Sequence, residues 1–137
     1  MLVDSNILVY SINRSSPKHR KAQNFLQSNT GRLEVAHQNI FETLRLLSHP
    51  KFPKPMNFND ALIALERILR GLTVVSPDYR THRIALELIR KHHLASDQVF
   101  DAYLAATALT NSIDAIATDN TRDLRKFTEL SVHNPFI

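Results

Sequence analysis

The sequence predicts an α/β fold in which a parallel sheet of about five strands lies between helices. Three observations predict it. Five short apolar or β-branched runs alternate with helical patterns, one segment is apolar on nearly every side, and acidic residues follow two of the short runs directly. Alternation of this kind builds βαβ units and a sheet covered on both faces. A helix apolar all round belongs at the centre. Carboxyl ends of strands are where open α/β sheets bind ligands.

The predicted strands are residues 1–3, 33–36, 72–75, 115–118 and 130–132. After the first, Asp4 or Ser5 can cap a short helix over residues 7–11. Residues 18–27 place Ala22, Phe25 and Leu26 at helical spacing, and residues 38–47 do the same with Ile40, Phe41, Leu44 and Leu47. Three prolines in residues 49–55 cannot continue that helix, so the segment reads as a stiff connection. Asn57 or Asn59 then caps a helix presenting Ala61, Leu62, Leu65 and Ile68, which ends near Gly71. Pro77 opens another, bearing Ile84, Leu88 and Ile89. In the central helix, residues 96–109, Asp101 heads the face formed by Leu104, Ala105 and Ala108, and it should point inward. Asn120 is placed to cap a last short helix with Asp123 in its first turn.

With 137 residues the chain is expected to form one domain over residues 1–137, burying roughly two thirds of the surface of its unfolded form. Cysteine is absent, which removes disulfides and thiolate metal ligands; a bound metal must be held by oxygen or imidazole. No basic leader and no run near the roughly 18 apolar residues of a membrane span is present, so a cytoplasmic protein with no membrane partner is expected. Two glycines cannot build a glycine-rich phosphate loop, which argues against a nucleotide-binding Rossmann function. Lys and Arg number 17 against 13 Asp and Glu, a net charge of +4 that favours a polyanionic partner. The basic residues gather around Lys18, around Arg45, Lys51 and Lys54, and around Arg122, Arg125 and Lys126. Phosphate contacts and solvated helix faces explain them equally well.

Four acids, Asp4, Glu42, Asp101 and Asp119, stand in segments that otherwise read as core. A carboxylate in apolar surroundings neutralises, pairs or binds a cation. Bland readings stand beside them: Asp4 as a helix cap, Glu42 as a surface partner of Arg45, Asp101 as a helix-dipole residue, and, after Asp119, Asp123 in the first turn of a helix, although Asp119 and Asp123 could exchange roles in the site. Jointly they are more informative, because two acids at strand ends and two on flanking helices can converge on one crevice. Converging carboxylates repel, and oxygen-seeking Mg²⁺ or Mn²⁺ neutralises them, the arrangement that serves phosphodiester hydrolysis. Seven histidines show no ligand spacing.

The stretches VDSNILVYSINRSSPKHRKAQNFL, FDAYLAATAL, ATDNTRDLRKF and LSVHNPFI, in that order along nearly the whole chain, resemble PIN-domain ribonucleases of the VapC toxin family. That resemblance implies a three-layer domain and places Asp4, Glu42, Asp101 and Asp119 on the family's metal-binding acidic quartet, with Asn6 and Thr118 on supporting polar positions. Asp123 is followed by Leu124 where this subgroup usually has Asp-Phe, and Asp123 stays open as the fourth ligand. The resemblance further implies an Mg²⁺- or Mn²⁺-dependent endoribonuclease cutting tRNA or rRNA, a cognate antitoxin that reaches into the acidic cleft, and a homodimer. Alternatives are an RNA-processing nuclease that is not a toxin, and an RNA-binding or assembly protein that does not catalyse. A receiver-like phosphoacceptor domain fits poorly, since it wants an acidic pair after the first strand and a lysine after the last.

Overall fold

The computed structural model describes residues 1–50 and 56–137. Most of the predicted proline-rich connection, with Lys51 and Lys54, lies outside the described residues. The elements run β1 (Leu2–Val3), α1 (Ser5–Ile12), α2 (His19–Ser28), β2 (Glu34–Ala36), α3 (His37–Leu47), α4 (Phe58–Leu69), β3 (Thr73–Val75), α5 (Thr81–His92), α6 (Gln98–Thr110), β4 (Ala115–Ala117), α7 (Thr121–Leu124) and β5 (Ser131–His133). All strand pairings are parallel and the order is β3-β2-β1-β4-β5.

Successive side chains of a strand point to opposite faces, and each short strand therefore feeds two cores. Val3, Val35 and Ala117 join Ile7, Leu8, Ala22 and Ile40 on one face; Leu2, Ala36 and Ile116 join Ala85, Leu88, Leu104 and Ala105 on the other. Helices α1 to α4 thus cover the first face and α5 to α7 the second, which gives the three layers. A third cluster, Val9, Leu47 and Ala61, wedges α1, α3 and α4 together.

The five strands stand within a residue or so of their predicted limits. Asn57, not Asn59, caps α4, its side chain accepting the Asn59 N–H at 2.9 Å. Helix α5 begins at Thr81 rather than directly after Pro77, because Asp78 turns back to take the Arg80 N–H at 2.7 Å while the Thr81 hydroxyl takes the Asp78 N–H at 2.9 Å. Helix α6 begins at Gln98, later than predicted; Ser96 sits in the left-handed region at φ 54° and cannot propagate a right-handed turn.

A candidate active site at the reversal of strand order

The order 3-2-1-4-5 reverses between β1 and β4, and in doubly wound sheets the crevice at that point, beyond the carboxyl ends, is the binding site. Asp4 follows β1 and Thr118 follows β4, and the Asp4 N–H donates to the Ala117 carbonyl at 2.9 Å, closing the two strand ends together.

Asp4 is both helix cap and crevice residue. Its Oδ1 accepts the Ser5 N–H at 2.8 Å, the Ser5 hydroxyl at 3.4 Å and the Asn39 amide at 3.4 Å. Its Oδ2 accepts the Thr118 hydroxyl at 2.7 Å and the Asn6 amide at 3.3 Å. Burial nevertheless wins: it raises the Asp4 carboxyl above its ordinary value despite the donors from Thr118, Ser5 and Asn6. Asn6 ties the ends of β1 and β4 together a second time, since its Nδ2 also reaches Thr118 Oγ1 at 3.1 Å and its Oδ1 accepts the Asp119 N–H at 3.1 Å.

Glu42 comes from α3 and Asp101 from the first turn of α6. Glu42 is raised by burial and then by the charge of Asp4, against the opposing influence of Ser5 and Arg45. Asp101 is pushed up to about 6 by burial, then by Asp123, with smaller contributions from Asp4 and Glu42; Lys126 acts the other way. Four carboxylates, Asp4, Glu42, Asp101 and Asp123, therefore share one electrostatic field. Asp123, in α7, accepts the Asn120 amide at 2.8 Å.

Asp119 has partners of its own. Its carboxylate takes the Tyr10 hydroxyl at 3.0 Å, the Lys18 ammonium and the Asn134 amide at 3.4 Å. Burial lifts its carboxyl, but the hydrogen bonds from Lys18 and Tyr10 outweigh that and leave it lowered. Tyr10 is in turn pushed up to about 12 by burial and by Asp119. Lys18 also lies 5.5 Å from the Tyr10 ring and 5.2 Å from that of Phe136, so its charge is spent locally.

Two connected hollows open on this side. One, of about 710 Å³, is lined by Glu42, Asp101, Arg45, Gln38, Phe41 and Phe100 among others. The other, about 600 Å³ and mostly apolar, runs between α3, α5 and α6 and shares Phe41 and Phe100, which are 68% and 62% exposed. Sequence reasoning had no reason to select Asn39, Tyr10 or Asn134, and took Ser5 only as a possible helix cap. The one signal for Asn39 is its position three residues before Glu42, which puts both on one face of α3.

The donor set suits a hard cation: carboxylates, hydroxyls and amides, all oxygen-rich and without sulfur. Among the described residues, however, no group of three or more His, Asp or Glu side chains is gathered closely enough to hold an ion as the side chains stand. The acids share a field without forming a closed shell.

The molecule is thus a doubly wound α/β domain with an acidic crevice where its strand order reverses. The PIN domain family model matches residues 1–130, and the chain belongs to that family. It is similar to ribonuclease VapC24 of Mycobacterium tuberculosis, with 28% identity over 137 residues, 97% of this chain and 94% of the relative. Among solved structures, M. tuberculosis VapC20, described as a sarcin-ricin loop cleaving toxin, superposes with a TM-score of 0.72 at 16% identity, covering 92% of this chain and 94% of the other. FitAcB from Neisseria gonorrhoeae gives 0.73 at 19%, covering 98% and 97%. VapBC2 from Rickettsia felis, bound to a DNA fragment from its promoter, gives 0.71 at 18%, covering 97% and 96%. At these identities the structures bear on the fold.

Proposed function

We propose that this protein is a divalent-cation-dependent endoribonuclease that hydrolyses RNA phosphodiester bonds and acts as the toxin of a toxin–antitoxin pair. The observation that carries the reading is geometric: Asp4 stands at the carboxyl end of β1 where the strand order reverses, and Glu42 and Asp101 line one hollow on that side. Unbalanced carboxylates on one crevice are what a cation relieves. When bound, Mg²⁺ or Mn²⁺ supplies Lewis acidity toward water and phosphodiester oxygens. Asp4, Glu42 and Asp101 would hold it. The fourth carboxylate is Asp123 in this proposal, because Asp119 is engaged with Lys18 and Tyr10 and joins the site only by leaving them. Asn6 and Thr118 hold Asp4 in place.

The chain's own cations complete the reading. Arg45, which lines the acidic hollow, acts on Glu42, and Lys126 acts on Asp101. Neither is among the ion pairs of the described residues, Lys126 lying 5.8 Å from the centre of the Phe127 ring, and we assign both to phosphates on either side of a scissile bond. The relatives' names support the wider role: VapC24 is called a ribonuclease, VapC20 a toxin that cleaves the sarcin-ricin loop, and VapBC2 a DNA-bound complex. A structured rRNA or tRNA is accordingly the substrate class we assign. The antitoxin would present a basic side chain to the acidic crevice. The exposed apolar face of Phe41, Leu86, Phe100 and Tyr103 is assigned to a homodimer contact. No helix of the described residues is long and apolar enough to cross a membrane, in keeping with work on cytoplasmic RNA.

The test incubates antitoxin-free protein and its Asp101→Asn variant with total RNA in Mg²⁺, in Mn²⁺ and in EDTA, and maps new 5′ ends. Discrete cuts that need both the metal and Asp101 are expected. Folded protein that cuts in no metal would leave the non-catalytic RNA-binding reading in its place.

A further inference from the structure

Asn39 is the least expected polar group in the molecule, a carboxamide with no exposed surface. A buried amide is costly unless its hydrogen bonds are made, so its partners indicate what it is for. Its Oδ1 accepts the Ala36 N–H at 3.2 Å. A backbone N–H can only donate, which fixes the orientation of the amide and turns its NH₂ toward Asp4, where Nδ2 meets Oδ1 at 3.4 Å. The Thr43 hydroxyl, one turn on, donates to the Asn39 carbonyl at 2.6 Å and secures the backbone beneath.

Asp4 is consequently gripped from two sides of the crevice. Thr118, after β4, and Asn6, in α1, hold Oδ2, while Asn39 is the side chain that reaches Oδ1 from α3. Glu42 stands three residues further along the same face of α3 and feels the charge of Asp4. A shift of α3 that moved Glu42 away from Asp4 would break the Asn39 contact at the same time.

We infer that Asn39 is a positioning residue that sets the spacing and orientation of Asp4 relative to Glu42, so that the two carboxylates, one at the end of β1 and one within α3, serve one cation. This rests on the nuclease reading above. A residue that only caps α3 would need the bond to Ala36 and nothing else; the NH₂ directed at Asp4 is what a cap does not use. Leu in this place keeps the volume and removes both bonds. Asp keeps the acceptor for Ala36 but turns a second carboxylate on Asp4, and two carboxylates that close cannot both ionise without cost.

The experiment measures Mn²⁺ affinity by calorimetric titration and the thermal midpoint in EDTA and in Mn²⁺, for the full chain and for Asn39→Leu, Asn39→Asp and Thr43→Val. Asn39→Leu is expected to bind Mn²⁺ about tenfold more weakly and to lower kcat on RNA with KM unchanged. Thr43→Val, which loosens the same turn without touching the donor to Asp4, should bind Mn²⁺ as the wild type does. Asn39→Asp should melt below the wild type in EDTA and regain the difference when Mn²⁺ is added. Wild-type Mn²⁺ affinity in Asn39→Leu, or a wild-type EDTA midpoint in Asn39→Asp, would reduce Asn39 to a cap. The EDTA comparison needs no metal, so it reads the contact with Asp4 separately; a wild-type chain that binds no Mn²⁺ would instead overturn the nuclease reading and, with it, this one.

Discussion

Asp101→Asn should make the metal-free protein more stable while removing its activity. The Asp101 carboxyl moves from an ordinary 3.8 to about 6 in the fold, first through burial and next through Asp123. A folded-state value above the unfolded one means that the unfolded chain gives up its proton first as pH rises. The group therefore costs nothing below about pH 3.8, costs progressively more up to about 6, and imposes its full penalty above that. At roughly 1.4 kcal/mol per pH unit the shift corresponds to at most about 3 kcal/mol. Asp101 is only half-buried, and solvent screening brings the expectation down to about 1 kcal/mol. For a chain of this size that is about 4 °C in Tm. Thermal melts of both proteins in EDTA at several values from pH 4 to 8 should show the variant melting higher at pH 7 and the gap closing near pH 4. With Mn²⁺ present the wild type should gain stability that the variant does not. A variant that is less stable at pH 7, or a gap independent of pH, would refute the shared field of carboxylates at the crevice.

Asp123→Asn should weaken Mn²⁺ binding and abolish cleavage, while Asp119→Asn should chiefly cost about 1 kcal/mol of stability through its bonds to Lys18 and Tyr10; calorimetry and denaturant melts of both would reverse the assignment if the effects were exchanged. Arg45→Ala and Lys126→Ala, each made in the inactive Asp101→Asn background, should weaken RNA binding and lower the salt slope of log affinity by about 0.7 apiece, as loss of one phosphate contact to a single strand does. Filter binding across salt concentrations measures this, and unchanged slopes would return both residues to the solvated surface. Phe41→Asp puts a charge on the exposed apolar face, and light scattering should then find a smaller assembly than the wild type's; an unchanged mass would remove that face from the dimer contact.

Much of the fold was legible because its strands are short, parallel and buried, and such strands read as apolar runs wherever they lie. Asp101 was legible for a related reason: with Leu104, Ala105 and Ala108 buried beneath it, its helix leaves few directions other than the crevice. Asp4 carried two meanings at once, cap and site, and both are realised in the same carboxylate. The position of Asp119 at a strand end was legible, but the partners of its side chain were not, because Tyr10 and Lys18 lie over a hundred residues away in the chain. The start of α5 was hidden by a side-chain bond from Asp78 that competes locally with the helix. Asn39 was hidden more thoroughly, since an Asn just inside a helix looks like capping chemistry and only the packing of α3 against α1 and β2 brings its amide to Asp4.

The most direct test of the central claim is the position of a bound cation. Crystals of the protein grown with Mn²⁺ and read by anomalous scattering should show a peak about 2 Å from carboxylate oxygens of Asp4 and Asp101, with Glu42 or Asp123 on its shell. A peak seated on Asp119 with Lys18 displaced, or no peak in the crevice at saturating Mn²⁺, would contradict it.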